Sequence, residues 1–467
     1  MRVSLCMIVR NEEASLPACL ATVSDLVDEI VVVDTGSTDH TRQRAIQLGA
    51  RVYDFPWCDD FAAARNESLR HASGDWIFWM DADDRLDAVN RERFRRLKDQ
   101  LTDEVAIYVM PCLCSRGLGP GTGFYLDHAR LFRRHPLLRW QYRVHERILP
   151  AGSSPGLVYR RSDVVIHHEG YEDPAQKRLK LERNRRLGHL DLAERPDDPV
   201  VLFNLGWTYL SLHRPQDAIP LLQRSLALSM PAASHVAKLH SLLSAAFSLL
   251  GQKDEAWAIC LQGRHRCPHD DELLFQQAML SSERGDLAGA EACLHQLLAK
   301  PPGPHRFGLA QGLRGHLARH NLAIVLRAQG RLAEAEAQWQ QLIAEQPDYV
   351  PAWMGLTDLY LAHDRCAEME ELVARLRADP RRQVEAGLVE ARLRLKGRDF
   401  AGARAALAPV LAAAPRLLEA RIVLSHVLIE EGRDWPAAVR ALEDVLALDP
   451  TNAQAKHNLA VIRSWQW

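Results

Sequence analysis

The sequence lacks an excess of either charge. Its 58 Lys and Arg residues against 60 Asp and Glu residues leave a formal net charge of −2. Without a basic field, we do not expect nucleic acid as a partner. The sequence also lacks any uninterrupted apolar run of the roughly 18 residues that cross a bilayer, so no membrane span is predicted.

A disulfide framework is also missing. The nine cysteines are scattered along the chain, and an odd count without regular spacing is typical of reduced thiols in a cytoplasmic protein. The first ten residues contain a basic residue and a short apolar run but no small-residue cleavage site. We therefore interpret this segment as a strand and not as a signal peptide. The length of 467 residues predicts roughly two to four domains.

What the sequence does contain up to about residue 170 is an alternation of strand and helix patterns. Helices are predicted at 11–23, 40–48 and 61–72. Strands are predicted at 3–9, 29–33, 51–54, 76–80, 105–111, 124–132 and 164–167. Strands that alternate with helices imply right-handed βαβ units and a mainly parallel sheet.

The strand at 76–80 ends abruptly in Asp81, Ala82, Asp83 and Asp84. Carboxylates are rarely buried unless they are paired, and ligands of open α/β sheets bind at the carboxyl ends of the strands. Two acids separated by one residue can act together on a hard divalent cation and its ligands. The segment therefore predicts a site that can hold a nucleotide diphosphate.

From about residue 197 a repeat replaces the alternation. A small residue recurs, followed twelve positions later by Ala and then by Pro, as in Ser244, Ala256 and Pro268. Ser244 and Ala278 are 34 residues apart, since 278 − 244 = 34. Small residues let crossing helices approach each other, and Pro ends the second helix. This period resembles tetratricopeptide repeats, in about seven units.

Four ordered motifs carry a second resemblance. They are CMIVRNEE at 6–13, EIVVVDTGSTD at 29–39, DFAAARNE at 60–67 and GDWIFWMDADD at 74–84. The region resembles glycosyltransferase family 2, whose inverting enzymes have the GT-A fold. It is most similar to the branch of the sublancin-type peptide glycosyltransferases, in which tetratricopeptide repeats follow the catalytic domain.

The resemblance implies a nucleotide-sugar site and a divalent cation, Mn²⁺ or Mg²⁺. Asp34 would accept a hydrogen bond from uracil, Asp81 would reach the ribose, and Asp83 and His168 would be the metal ligands. The full set for the nucleotide sugar is Val9, Arg10, Glu12, Asp34, Arg65, Asn66, Asp81, Ala82 and Asp83. Inverting transfer also needs a base, for which Glu146 matches the family position and Asp127 is the second candidate.

Other interpretations stay open for five of these side chains. Arg10 is equally interpreted as a solvated arginine, and a lone histidine such as His168 is more often structural. Asp34 lies where helix N-caps are common. Arg65 has Asp59 and Asp60 nearby in sequence as ion-pair partners. Glu146 lies between Arg143 and Arg147, so an exposed ion pair is the competing interpretation.

The expected organisation is an α/β GT-A domain at 1–175, a helical linker at 176–196 and an all-α repeat solenoid at 197–467. The expected activity is metal-dependent, inverting transfer of a sugar from a nucleotide donor, UDP-linked by the resemblance, to a peptide or protein side chain held by the repeats. Two alternatives are transfer to a small molecule or glycan, with the repeats forming a homodimer, and a catalytically inactive scaffold.

Overall fold

A computed structural model of the chain describes residues 1–114, 124–150, 157–170, 174–300 and 312–464. Eleven strands occur in these residues, all before residue 170. They are β1 (Val3–Val9), β2 (Glu29–Asp34), β3 (Arg51–Asp54), β4 (Trp76–Trp79), β5 (Asp84–Arg85), β6 (Ala106–Cys114), β7 (Phe124–Arg133), β8 (Leu138–Gln141), β9 (Arg147–Pro150), β10 (Val158–Arg161) and β11 (Ile166–His168).

Nine of these strands form one mixed sheet in the order β3-β2-β1-β4-β7-β6-β11-β5, with β10 paired to β6. The first four strands in this order are parallel, as predicted. The strand β7 runs antiparallel to both β4 and β6, so the sheet is parallel on one side only. The strands β8 and β9 form a separate antiparallel pair.

Helices cover both faces of the sheet. They are α1 (Leu16–Ala21), α2 (Thr41–Gln47), α3 (Phe61–His71) and α4 (Ala88–Asp99). Strand alternation sends Trp76 and Phe78 into the core that includes α1 and α4. The residues between and after them, Ile77 and Trp79, enter the core with α3, β8 and β9.

The predicted helices differ from the structure in two places. The helix predicted at 11–23 covers only Leu16–Ala21, because Asn11 has a positive φ of 56° and the Glu12 N–H is bonded to Thr41. No element was predicted between Asp84 and residue 105, where α4 lies. Its start is marked by Asp87, whose carboxylate caps the N–H of Asn90, a recognised helix signal.

A long helix, α5 (Pro174–Glu194), follows the sheet domain, and helical pairs follow α5. In the described residues the pairs are α6 (Pro199–Ser211) and α7 (Pro215–Leu228), α8 (Val236–Leu249) and α9 (Lys253–Arg266), α10 (Asp271–Glu283) and α11 (Leu287–Leu298), α12 (His316–Ala328) and α13 (Leu332–Glu345), α14 (Val350–Ala362) and α15 (Cys366–Arg377), α16 (Gln383–Lys396) and α17 (Phe400–Ala413), and α18 (Leu418–Glu431) and α19 (Trp435–Leu448), before α20 (Ala453–Ser464).

The small residues that define the repeat are buried where the helices cross. Every one of the following has no exposed surface: Ala218, Ser244, Ala256, Ala278, Ala290, Ala323, Ala335, Ala391, Ala403 and Ala438. Thr357 and Met369, at the corresponding positions of a degenerate unit, are also fully buried. The spacing in the sequence therefore reflects close helix packing.

By internal contacts the chain divides into two units, Met1–Ala318 and Arg319–Trp467. The first unit contains the sheet, α5 and the helical pairs up to α11. Among the residues that the structure describes, no helix combines the length and apolar character that crossing a membrane requires.

Candidate active site

Three strands bring the predicted residues to one edge of the sheet. Val9, the last residue of β1, lies opposite Asp34, the last residue of β2. On the other side of β1, Cys6 lies opposite Trp79 of β4, and Asp81 follows Trp79 by two residues. Because these strands are parallel, Asp34 and the acidic segment come out at the same carboxyl edge.

Four side chains at this edge converge. One ligand atom from each of Asp81, Asp83, Asp84 and His168 lies within 4.8 Å of the others. His168 arrives there because β11 pairs with β5 and sets His168 opposite Asp84. Its Nδ1 lies 2.9 Å from Asp84 Oδ1 and 3.5 Å from Asp83 Oδ1. The structure thus joins the two residues predicted as metal ligands, Asp83 and His168.

The electrostatics of this cluster favour a positive charge. Burial alone would lower the pKa of His168, but the hydrogen bond to Asp84 and the charges of Asp83 and Asp81 raise it to about 9. Burial raises the pKa of Asp83, and the neighbouring carboxylates of Asp81 and Asp84 add to the effect. A divalent cation would relieve this repulsion. Oxygen ligands with one imidazole suit Mn²⁺, and also fit Mg²⁺ if waters complete the shell.

Asp84 is bound on both of its oxygens. It has no exposed surface, and its Oδ2 accepts hydrogen bonds from Arg130 Nη1 at 2.6 Å and from the Asp81 N–H at 2.8 Å. Its Oδ1 contacts His168. Asp84 therefore orients the imidazole and the acidic turn, the role that carboxylates behind a ligating histidine usually have.

Arg65 joins Asp81 to the predicted base. Its Nη2 donates to Asp81 Oδ1 at 2.9 Å and its Nε donates to Glu146 Oε1 at 2.6 Å. Arg65 pairs with neither Asp59 nor Asp60. Glu146 pairs with Arg65, whereas its neighbour in sequence Arg143 pairs with Glu194. Burial opposes the ionisation of Asp81, but the Arg65 charge, followed by those of Arg130 and His168, holds the pKa of Asp81 well below its usual value.

Two guanidinium groups lie over the Trp79 ring. The Cζ of Arg65 is 4.0 Å from one ring centroid of the indole, and the Cζ of Arg130 is 3.7 Å away. The indole N–H donates to the Ala129 carbonyl at 2.6 Å. Cation–π contacts of this kind are strongest when they are desolvated. Trp79 therefore supports the arginines that hold Asp81 and Asp84.

The first two strand ends form the adjoining part of the site. Asp34 Oδ1 accepts the N–H groups of Gly36 and Ser37 at 3.1 and 2.8 Å, and the φ of +102° at Gly36 favours glycine. Asp34 is not the cap of the next helix, whose N-cap is His40. Val9 is buried.

Arg10 and Glu12 follow the end of β1. Arg10 is exposed. Burial raises the pKa of Glu12, and the charges of Asp83 and Asp81 raise it further while Ser15 opposes the change. Glu12 therefore lies within electrostatic reach of the acids.

Two predicted residues have other contacts. The Asn66 side chain exchanges two hydrogen bonds with the backbone of Trp140, at 2.9 and 3.0 Å, and so fastens α3 to β8. Asp127 forms a bidentate ion pair with Arg161 at 2.7 and 3.0 Å and is not part of the cluster around Asp83. Glu146, by contrast, is linked to that cluster through Arg65.

The sequence reasoning did not identify Arg130 or Trp79 as site residues, and it gave Asp84 no role. A weak signal existed, since an arginine in the middle of an apolar strand needs a buried partner. Its partner is 46 residues away, a distance that local patterns do not reveal.

Comparisons with known proteins agree with this architecture. Residues 4–162 match the model described as glycosyl transferase family 2. Residues 201–234 and 320–382 match tetratricopeptide repeat models. The fold prediction of an α/β domain followed by helical repeats is therefore confirmed.

Three curated relatives illustrate the proteins that this chain resembles in sequence. A TPR repeat-containing protein of Synechococcus elongatus is 38% identical over 44% of this chain and 51% of its own length. The prophage-derived glycosyltransferase SunS of Bacillus subtilis is 28% identical over 47% and 52%. The lipopolysaccharide core biosynthesis glycosyltransferase LpsC of Rhizobium meliloti is 34% identical over 32% and 57%. The chain thus spans about half the length of the curated relatives it matches.

Proposed function

We propose that this chain, in which a family 2 glycosyl transferase domain precedes tetratricopeptide repeats, is an enzyme that transfers a sugar from a nucleotide donor to a peptide or protein side chain. The observation that carries the proposal is the convergence of Asp81, Asp83, Asp84 and His168 beside Asp34 at the carboxyl edge of the parallel strands. A cluster of this kind suits a hard divalent cation and, through that cation, a nucleotide diphosphate.

In the proposed complex the donor is a UDP sugar. Asp34 accepts a hydrogen bond from the base, Asp81 contacts the ribose, and Val9, Arg10 and Glu12 border the nucleotide. Asp83 and His168 would hold a divalent cation. When bound, such a cation neutralises charge on the departing diphosphate.

Glu146 is the proposed general base. Its carboxylate takes the proton from the acceptor oxygen or sulfur, which attacks the anomeric carbon on the face opposite the diphosphate. The bond from that carbon to the diphosphate oxygen breaks, its electron pair leaves with UDP, and the configuration is inverted. The Nε of Arg65 donates a hydrogen bond to Glu146 Oε1 at 2.6 Å and so orients the carboxylate.

The repeats supply the argument for a protein acceptor, because tetratricopeptide arrays form extended surfaces that bind peptides. One relative favours a second acceptor class. The Rhizobium meliloti relative is named for lipopolysaccharide core biosynthesis. Its similarity covers about a third of this chain. A glycan acceptor, with the repeats used for self-association, is therefore the second candidate function.

A panel of nucleotide sugars tests the proposal without an acceptor. The full-length protein is incubated with each donor and Mn²⁺, and release of the nucleoside diphosphate is measured. We expect slow hydrolysis of UDP sugars. Turnover of any donor would eliminate the inactive-scaffold alternative, and the absence of turnover for every donor would contradict the proposal.

The double variant Asp81→Ala with Asp83→Ala tests the site. We expect it to lose both hydrolysis and the binding of UDP with Mn²⁺ in calorimetry. Asp103→Ala is the matched control, because this carboxylate lies in the same domain and its side chain is 81% exposed. Unchanged calorimetry in the double variant would show that the acids do not bind the donor.

A further inference from the structure

We propose that α5 is part of the catalytic site and that Asp191 is a positioning residue for Glu146. The inference rests on the proposed function, because it takes Glu146 as the base. In the sequence this segment is only a helical linker between two domains. In the structure, α5 fixes the β8–β9 loop, residues 142–146, which ends in Glu146.

The β8–β9 loop cannot hold its shape alone. Tyr142 and His145 have positive φ angles of 74° and 56°. For residues with bulky side chains, such angles are unfavourable and persist only where surrounding contacts impose them. Among the strands that the structure describes, the two that flank the loop pair only with each other. The contacts that impose the loop's shape must therefore come from other elements.

Asp191 supplies the central contact. Its side chain is buried, and both carboxylate oxygens accept the backbone N–H of Arg143, at 3.1 and 2.9 Å. The carbonyl of Arg143 accepts the N–H of Phe61, the first residue of α3, at 2.9 Å. One peptide segment of the loop is thus held between α5 and the helix that carries Arg65.

The loop is also attached to the first repeat helix. The Tyr142 hydroxyl donates to Asp198 Oδ2 at 3.0 Å. The other oxygen of Asp198 caps α6 through the N–H groups of Val200 and Val201, at 2.8 and 3.2 Å. The position of Glu146 consequently depends on the segment that joins the catalytic domain to the repeats.

Two cations of α5 act on the same site. The positive charge of Lys180 acts to lower the pKa of Asp83 and that of Glu12, against the burial that raises both. Arg183 packs over the Phe61 ring at 4.8 Å, and its charge interacts with that of Glu146. These two α5 side chains are therefore within electrostatic range of the acids and of the proposed base.

The test compares Asp191→Asn with Glu194→Gln in the full-length enzyme. Both carboxylates contact Arg143, but Glu194 does so from the surface, with its side chain 50% exposed. Asparagine keeps one of the two oxygens that accept the Arg143 N–H but loses the other and the charge. We therefore expect Asp191→Asn to lower kcat for transfer by roughly tenfold, because small displacements of a catalytic group are costly. The Kd for UDP with Mn²⁺ should stay within about twofold, and Glu194→Gln should keep wild-type kcat.

A double-mutant cycle with Glu146→Gln separates positioning from a merely structural role. If Asp191 acts through Glu146, the double variant is no slower than Glu146→Gln alone. Additive losses, or a normal kcat in Asp191→Asn, would overturn the inference, as would a normal kcat in Glu146→Gln. Absence of turnover in the wild type would instead refute the proposed function.

Tyr142→Phe is the second variant, in case Asp191→Asn does not fold. It removes only the hydroxyl bonded to Asp198. We expect a lower kcat, with the Kd for UDP and Mn²⁺ unchanged. A kcat equal to that of the wild type would count against the role of α5 and α6 in fixing the loop.

Discussion

The substitution Asp84→Asn is expected to weaken cation binding, although Asp84 itself bonds mainly to protein groups. Asn keeps one carbonyl oxygen, which can retain the bonds to Arg130 and the Asp81 N–H that Oδ2 now accepts. The amide nitrogen then replaces Oδ1, which lies 2.9 Å from His168 Nδ1. The variant therefore loses the charge-assisted hydrogen bond to His168, worth about 1.5–3 kcal/mol, and also the negative charge that pairs with Arg130.

This loss acts on the orientation of His168. Removing a carboxylate behind a ligating histidine typically lowers metal affinity by about 10- to 100-fold. Each factor of ten corresponds to about 1.4 kcal/mol, so the affinity range is compatible with the bond that is lost. We therefore expect the Kd for Mn²⁺ to rise by one to two orders of magnitude.

Electron paramagnetic resonance of free Mn²⁺ measures this Kd directly in a titration with and without UDP. Asp87→Asn is the matched control. Asp87 pairs with His167 at 3.1 Å on the same two segments, but its side chain is 49% exposed, and asparagine still caps α4. A Kd for Asp84→Asn within twofold of wild type would refute the reasoning, provided that circular dichroism shows a folded protein.

Two further predictions concern packing and thiol chemistry. A methyl group on Gly355 would lie 2.4 Å from the buried Trp339 ring, so Gly355→Ala should destabilise the C-terminal unit by about 1–3 kcal/mol in calorimetry. The control Gly397→Ala, whose added methyl group would have its nearest neighbour at 3.6 Å, should leave the stability unchanged. Equal melting temperatures for the two variants would contradict this prediction. Burial raises the pKa of Cys6 to about 12, whereas Cys58 is exposed. Iodoacetamide at pH 8 should therefore label Cys58 before Cys6, as measured by peptide mass spectrometry. Early labelling of Cys6 would contradict its burial.

The sequence predicted those features that depend on periodicity. Alternation located β1 and β4, and the recurring small residues located the helix crossings, where Ala256 and Ala290 are fully buried. Parallel strand ends also brought Asp34 to the edge that carries Asp81, because that consequence follows from topology alone.

Features that depend on distant contacts were not predictable. Glu146 pairs with Arg65, which is 81 residues away. The sequence alone suggested its neighbours Arg143 and Arg147 as ion-pair partners. The helix predicted at 11–23 was too long because the positive φ of Asn11 follows from tertiary contacts and not from local propensity. The role of α5 was hidden for the same reason, since Asp191 meets Arg143 from 48 residues away.

The indole of Trp79 has a consequence for how the site can vary. The guanidinium of Arg65, which pairs with Glu146, and that of Arg130, which pairs with Asp84, both lie over this ring. A smaller residue at position 79 would remove a packing contact from Arg65 and from Arg130 at once. Substitutions at Arg65 and Arg130 should therefore show a coupling free energy, although the two guanidinium groups pair with different carboxylates.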